Sequence, residues 1–180
     1  MYQIILPHAF TSSRWKNGGG VVHEIIRDNV NDPWQWRISL ADVTSDGPFS
    51  LFEGMTRILT VVDGNGLNLL TPECELAARR FQPVEFAGDI PVESRMVSGG
   101  VRNLNVIYSP AKMIASVVVL AGPKVIPAGP GQTGLFCLAG PIEADGQTVP
   151  TGAFALGNGG NICLPRRTHA AILKLTERRS

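Results

Sequence analysis

Turn signals recur along the whole chain, and they limit the fold more than any other feature. "RDNVNDP", "TSDGPFS", "VDGNG", "SGG", "GPKVIPAGPG", "EADGQ" and "GNGGN" follow one another at short intervals. Between them lie brief runs of Val, Ile, Leu and Phe. Short β-branched runs cut by Gly and Pro are the pattern of an all-β sandwich or barrel. Helical periodicity is nearly absent; "CELAARRF" is the best candidate for a helical turn, with a hairpin as the alternative. With 44% hydrophobic and only 17% charged residues, 180 residues can enclose a sizeable core.

The Gly/Pro-rich stretch "AGPKVIPAGPGQTG" divides the chain, giving an expected N-terminal barrel over residues 1–120 and a C-terminal unit over 121–180. Strands exchanged between the two are allowed for. Both parts run strand, turn, strand with similar rhythm, which suggests a duplication.

Composition also excludes partners. A net charge of +1 with no basic stripe argues against nucleic acid. No apolar run is long enough to span a bilayer as a helix, and "MIASVVVLAG" reads as a buried strand. The N-terminus lacks the features of a signal peptide. Cys74, Cys137 and Cys163 are odd in number and far apart, which suits unpaired thiols in a cytoplasmic protein. His8, His23 and His169 are isolated and form no metal-ligand spacing, so neither a metal nor another cofactor is expected. No nucleophile elbow or reactive cysteine context appears, and no catalytic residue is assigned.

The run "RWKNGGG" needs a reason, because ordered glycines lose much backbone entropy. The β-rich "VVHEIIR" that follows rules out a linker, and with no helix after it a phosphate loop is also ruled out. Close approach of backbone to something near Trp15 and Asn17 remains, beside the plainer reading of a turn with Trp15 filling core.

Strand alternation then sorts the polar residues. In "WQWRISLADV" Trp34, Trp36, Ile38 and Leu40 share one face, and Gln35, Arg37, Ser39 and Ala41 the other. Arg37 reads most simply as a solvated residue on an edge strand. Arg57 shares a face with Leu59 and Val61 in a strand with no clearly polar side. A buried guanidinium keeps its proton and needs a paired anion. That anion is either an internal carboxylate such as Glu24 or the carboxylate of a ligand. Asn105 shares a face with Val101, Asn103 and Ile107, and is either a structural amide or a group orienting a polar ligand. His23 and Glu24, being adjacent in a strand, point to opposite faces.

"WKNGGGVVHEI", "WQWRISLADVTSDGPFSLFEGMTRILTVVDGNGLNL", "RFQPVEFAGD" and "NLNVIY" together resemble the HutD/Ves family over residues 10–110, in order and spacing. The last third is less similar. The resemblance implies a bicupin, two small jelly-roll-like β-barrels in one chain. It implies a link to bacterial histidine utilisation, with a regulatory role exerted by sensing a small carboxylated metabolite such as formylglutamate. The cupin metal ligands are missing from both halves. Trp15, Asn17, Gly18, Gly19, Glu24, Arg37, Ser39, Phe49, Arg57 and Asn105 fall on motif positions and are the implied ligand-binding set. In that light Arg57 becomes a ligand anchor, and the glycines let backbone pass close to a pocket walled by Trp15. Two other readings stay open. One is a metal-independent cupin enzyme performing isomerisation or hydrolysis, with Glu24 or another carboxylate as general base. The other is a protein-interaction module, with a homodimer among its forms.

Overall fold

A computed structural model describes residues 1–15, 18–29, 33–127 and 129–178. Its only helical element among these is one 3-10 turn, Pro7–Ala9. The rest is strand and turn, the all-β class expected from the punctuation.

The strands in chain order begin with β1 (Tyr2–Ile5). They continue through β2 (Thr11–Arg14), β3 (Gly20–Arg27), β4 (Trp36–Val43), β5 (Gly47–Pro48), β6 (Thr56–Asp63) and β7 (Leu67–Leu70). Next come β8 (Glu75–Ala78), β9 (Val84–Ala87), β10 (Glu93–Met96), β11 (Val101–Tyr108), β12 (Met113–Ala121) and β13 (Lys124–Pro127). The last are β14 (Gln132–Ala139), β15 (Ile142–Ala144), β16 (Gln147–Val149), β17 (Phe154–Gly157), β18 (Asn161–Leu164) and β19 (His169–Glu177). Every pairing between named strands is antiparallel.

Two compact units result, Thr11–Lys112 and Met1–Phe10 with Met113–Ser180. The boundary therefore differs from the expected 120/121. Strand β1 pairs with β17, register Tyr2 to Gly157, so the first ten residues join the C-terminal unit. At the other end β12 pairs along its whole length with β19 and crosses over as well. The Gly/Pro-rich stretch lies inside the C-terminal unit and includes strand β13, which pairs with β18, rather than marking the divide.

The 11–112 unit has a six-stranded sheet, β2-β3-β4-β11-β6-β9, and a four-stranded one, β5-β10-β7-β8. Side chains from both meet in one apolar cluster: Leu59 and Val61 on β6 against Leu67 and Leu69 on β7, with Phe49, Ala78 and Phe86. Strand β8 replaces the helical turn suggested for "CELAARRF", and the hairpin alternative holds. Leu76 stands opposite Leu69, and Ala78 opposite Leu67, so the apolar residues repeat every second position.

The other unit repeats the plan with a five-stranded sheet, β1-β17-β14-β19-β12, and a four-stranded one, β13-β18-β15-β16. Its interior is packed by Leu135, Cys137, Ile142, Val149, Ile162, Leu164 and Ile172, closed by Tyr2. The "MIASVVVLAG" strand is not buried on both faces. It lies at the sheet edge with Ile114 and Val118 exposed, and its alternation follows from that position. Cys74 is exposed, Cys137 buried and Cys163 half-buried, all three as free thiols. Among the described residues no helix is long and apolar enough to cross a membrane.

Candidate functional site

Register in the six-stranded sheet lines up three rows on one face. Arg37 and Arg57 flank Ile107, Ser39 and Leu59 flank Asn105, and Ala41 and Val61 flank Asn103. Directly opposed antiparallel residues share a face, so one polar stripe runs through β4, β11 and β6. Strand β4 lies between β3 and β11, so Arg37 is on a central strand and not on the edge strand expected for a solvated residue.

Above this face is a cavity of about 500 Å³. Arg37, Ser39, Arg57, Asn105 and Ile107 are on its walls, together with Trp15, Phe49 and Phe52 from the loops. Six of the residues implied by the family motif thus meet in one place, although they are scattered from 15 to 105. Arg14, Val22, Ala41, Pro48, Ser50, Phe52 and Ile107 complete the lining and were not singled out from the sequence. Alternation could have found Val22, Ala41 and Ile107. Phe52 and Ser50 are loop residues, where no period exists to read.

The remaining residues of the set stand elsewhere. Gly18 and Gly19 are not in the cavity wall. Gly18 has φ +73° and makes the turn before β3, its N–H donating to the Trp15 carbonyl at 3.1 Å. The close approach belongs to Gly20, where a Cβ would collide with the Asp42 carbonyl oxygen and come within 3.3 Å of the Trp15 indole. The glycines therefore seat Trp15 against the sheet, and it meets Phe49 edge-on at 5.8 Å. Asn17 lies outside the described residues.

Glu24 is beside the cavity and already engaged. A bulge after it puts Glu24 and Arg27 on the same side, opposite Ser39 and Arg37. Arg27 donates to Glu24 at 2.8 Å, and Arg37 Nη1 lies 3.9 Å from the other carboxylate oxygen. The internal ion pair considered for Arg57 is thus made by other arginines. His23 points the opposite way, to Ser12 Oγ at 2.7 Å and Asp42 at 3.0 Å, and Asp42 takes two hydrogen bonds from Arg102. That set is a surface network on the other face.

Arg57 is 6% exposed and has no carboxylate within salt-bridge distance among the described residues. Its Nη2 donates to Asn105 Oδ1 at 3.0 Å and its Nη1 to the Ser50 carbonyl at 3.4 Å; its Nε has no partner. Phe49, Phe52 and Phe86 surround the guanidinium with ring centroids 4.9, 5.5 and 5.2 Å from Cζ. Ring faces attract the cation but do not neutralise it. Burial, and then the charge of Arg37, push its pKa down to about 10, so it is still protonated at neutral pH.

Arg37 is held between Trp34 and Phe52 at 5.2 and 5.1 Å. Burial lowers its pKa, Glu24 partly restores it, and its Nε is also without a partner. Sequence parity places Trp34 on the Trp36 face. Trp34 precedes β4, where alternation does not apply, and its ring packs on Arg37 and Phe52 instead.

The cavity thus offers N–H donors and the aromatic-framed cations Arg37 and Arg57, with Arg14 also on its wall, a setting for an anionic, acceptor-rich group. It does not suit a cupin-type metal. Guanidinium groups repel a cation, and among the described residues no three His, Cys, Asp or Glu gather as ligands.

Comparison with known proteins identifies the family and the fold. The HutD family model matches residues 7–179. An uncharacterised protein from the hutC 3' region of Pseudomonas putida is 32% identical over 146 residues, covering 78% of this chain and 76% of that one. The structure of HutD from Pseudomonas fluorescens SBW25, described as a formate condition, superposes with TM-score 0.88 at 27% identity, covering 99% of this chain and all of that chain (100%). A cupin 2 conserved barrel protein of Leptotrichia buccalis shares the fold, with TM-score 0.58 at 14% identity over 98% of this chain and 96% of its own. With its two cupin-like units and this match along nearly its whole length, the chain belongs to the HutD family, which is linked to the bacterial histidine-utilisation locus.

Proposed function

We propose that the cavity binds a small carboxylated metabolite of histidine breakdown, formylglutamate or a close relative, and that the protein regulates the pathway by sensing it in the cytoplasm. One observation carries the reading. Arg57 is a buried cation without a carboxylate partner among the described residues, and it borders a cavity large enough for such an acid. A charge left in that state destabilises the empty protein, and a ligand carboxylate relieves it through charge-assisted hydrogen bonds. Arg37 beside it adds to the attraction, while Glu24 balances part of the charge. The engagement of Glu24 with Arg27 and Arg37 speaks against its serving as a general base.

Thermal melts test this. Formylglutamate at 100 times its dissociation constant should stabilise the parent by roughly 2.7 kcal/mol. Arg57→Met should fold with stability near or above that of the unliganded parent and show no response to the acid. A parent indifferent to formylglutamate and related acids defeats the proposal, as does an Arg57→Met protein that still responds.

A further inference from the structure

We infer that Asn103, which is not on the cavity wall, is a positioning residue for the ligand: it fixes the amide of Asn105, and through it the guanidinium of Arg57. The inference rests on the carboxylate reading of the cavity. A guanidinium can only donate, so Asn105 must turn its Oδ1 toward Arg57, as it does at 3.0 Å. The Asn105 Nδ2 then points away and needs an acceptor in a buried place. Asn103 Oδ1 supplies it through a short hydrogen bond. Asn103 is 0% exposed and Asn105 4%, so water does not take over either role.

The direction of this chain is forced. If Asn105 flipped, its NH2 group would face the donors of Arg57, and its oxygen would face the oxygen of Asn103. The relay ends on Asn103 Nδ2, which is buried without a partner. Asn103 stands between Ala41 and Val61 in its row, next to an apolar cluster where Leu or Val would be the cheaper residue for stability alone. An amide that leaves one donor unsatisfied there is explained by what its oxygen holds. With Asn105 locked, Arg57 Nη2 is held on its partner, and the unpartnered Nε and weakly bonded Nη1 keep a fixed aim.

Isothermal titration of formylglutamate and of acetate into the parent, Asn103→Leu, Asn105→Leu and the double variant tests the relay. Asn103→Leu should melt close to the parent and bind about tenfold more weakly, the scale of one well-placed hydrogen bond. In the Asn105→Leu background, Asn103→Leu should weaken binding no further, because its effect passes through the missing amide. Parent-like affinity in Asn103→Leu overturns the inference, and so do losses that multiply in the double variant. The unliganded parent provides a check that needs no variant to fold. Its Asn105 side-chain amide protons should exchange slowly with water in NMR spectra, and rapid exchange also overturns the inference. If the parent binds neither acid, the carboxylate reading itself fails; if it binds and Asn103→Leu is unaffected, only the relay fails.

Discussion

The two units share a plan of a larger sheet and a four-stranded sheet, yet differ in what their strands turn inward. In the unit made of Met1–Phe10 and Met113–Ser180, the buried polar residues among those described are Thr133 and Thr168; its interior is filled by aliphatic side chains. In the 11–112 unit the buried polar residues among those described are Ser39, Arg57, Thr60, Ser94, Asn103 and Asn105, and three of them, Ser39, Arg57 and Asn105, line a cavity. Backbone architecture alone therefore does not make a binding site. The candidate site comes from a few inward polar residues on β4, β6 and β11, at a cost in stability that a well-packed apolar core avoids.

The comparison breaks most visibly where a filled interior is emptied. Leu135→Ala, in the core of the C-terminal unit, should cost about 2–5 kcal/mol in urea unfolding. A change below about 1 kcal/mol would mean that this interior is not tightly filled. Arg57→Met in the other unit should carry the opposite sign or none, and should remove the roughly 2.7 kcal/mol of ligand stabilisation described above.

The packing behind the cavity wall gives a smaller effect. Gly20→Ala should destabilise by about 1–3 kcal/mol, because the new methyl meets backbone at Asp42 and the Trp15 ring. Calorimetry should also show a weaker ligand response in that variant, since Trp15 is displaced from the rim. An unchanged melt would remove Gly20 as the seat of Trp15.

The smallest effect concerns the surface network on the opposite face. Arg102 holds the Asp42 carboxyl below its ordinary value, with His23 adding to this. A depressed carboxyl stabilises the folded state above its unfolded value near pH 4 and loses that contribution as pH falls through the folded value. With solvent screening the gain is about 0.5–1 kcal/mol. Acid unfolding of Asp42→Asn should therefore differ from the parent above pH 4 and converge with it well below. Ligand affinity should be the same in both, and a loss of affinity in Asp42→Asn would tie this face to the cavity.

Much of this is legible in the amino-acid sequence. Turn punctuation read as all-β, and strand parity put Arg57, Asn105 and Asn103 on sides that turn out to face inward. Parity failed where it had no strand to act on: Trp34 sits just before β4, and Phe52 lies in a loop. The ion-pair question for Arg57 depended on which arginines reach Glu24, and that is decided by a bulge at Ile25 that no residue pattern announces. The unit boundary was misplaced for a related reason. Composition marks flexible stretches, whereas β1 and β12 are assigned by the partners they find at β17 and β19.

The pairing of β1 with β17 also has a consequence in time. Tyr2 leaves the ribosome about 150 residues ahead of its partner Gly157, on the order of ten to thirty seconds earlier at ordinary elongation rates. Thr11–Lys112 is continuous and is complete long before then. The cavity-bearing unit is thus in a position to close while the first strand still waits for a sheet to join. The cavity at which we propose a carboxylate binds is therefore formed from residues synthesised before most of the second unit.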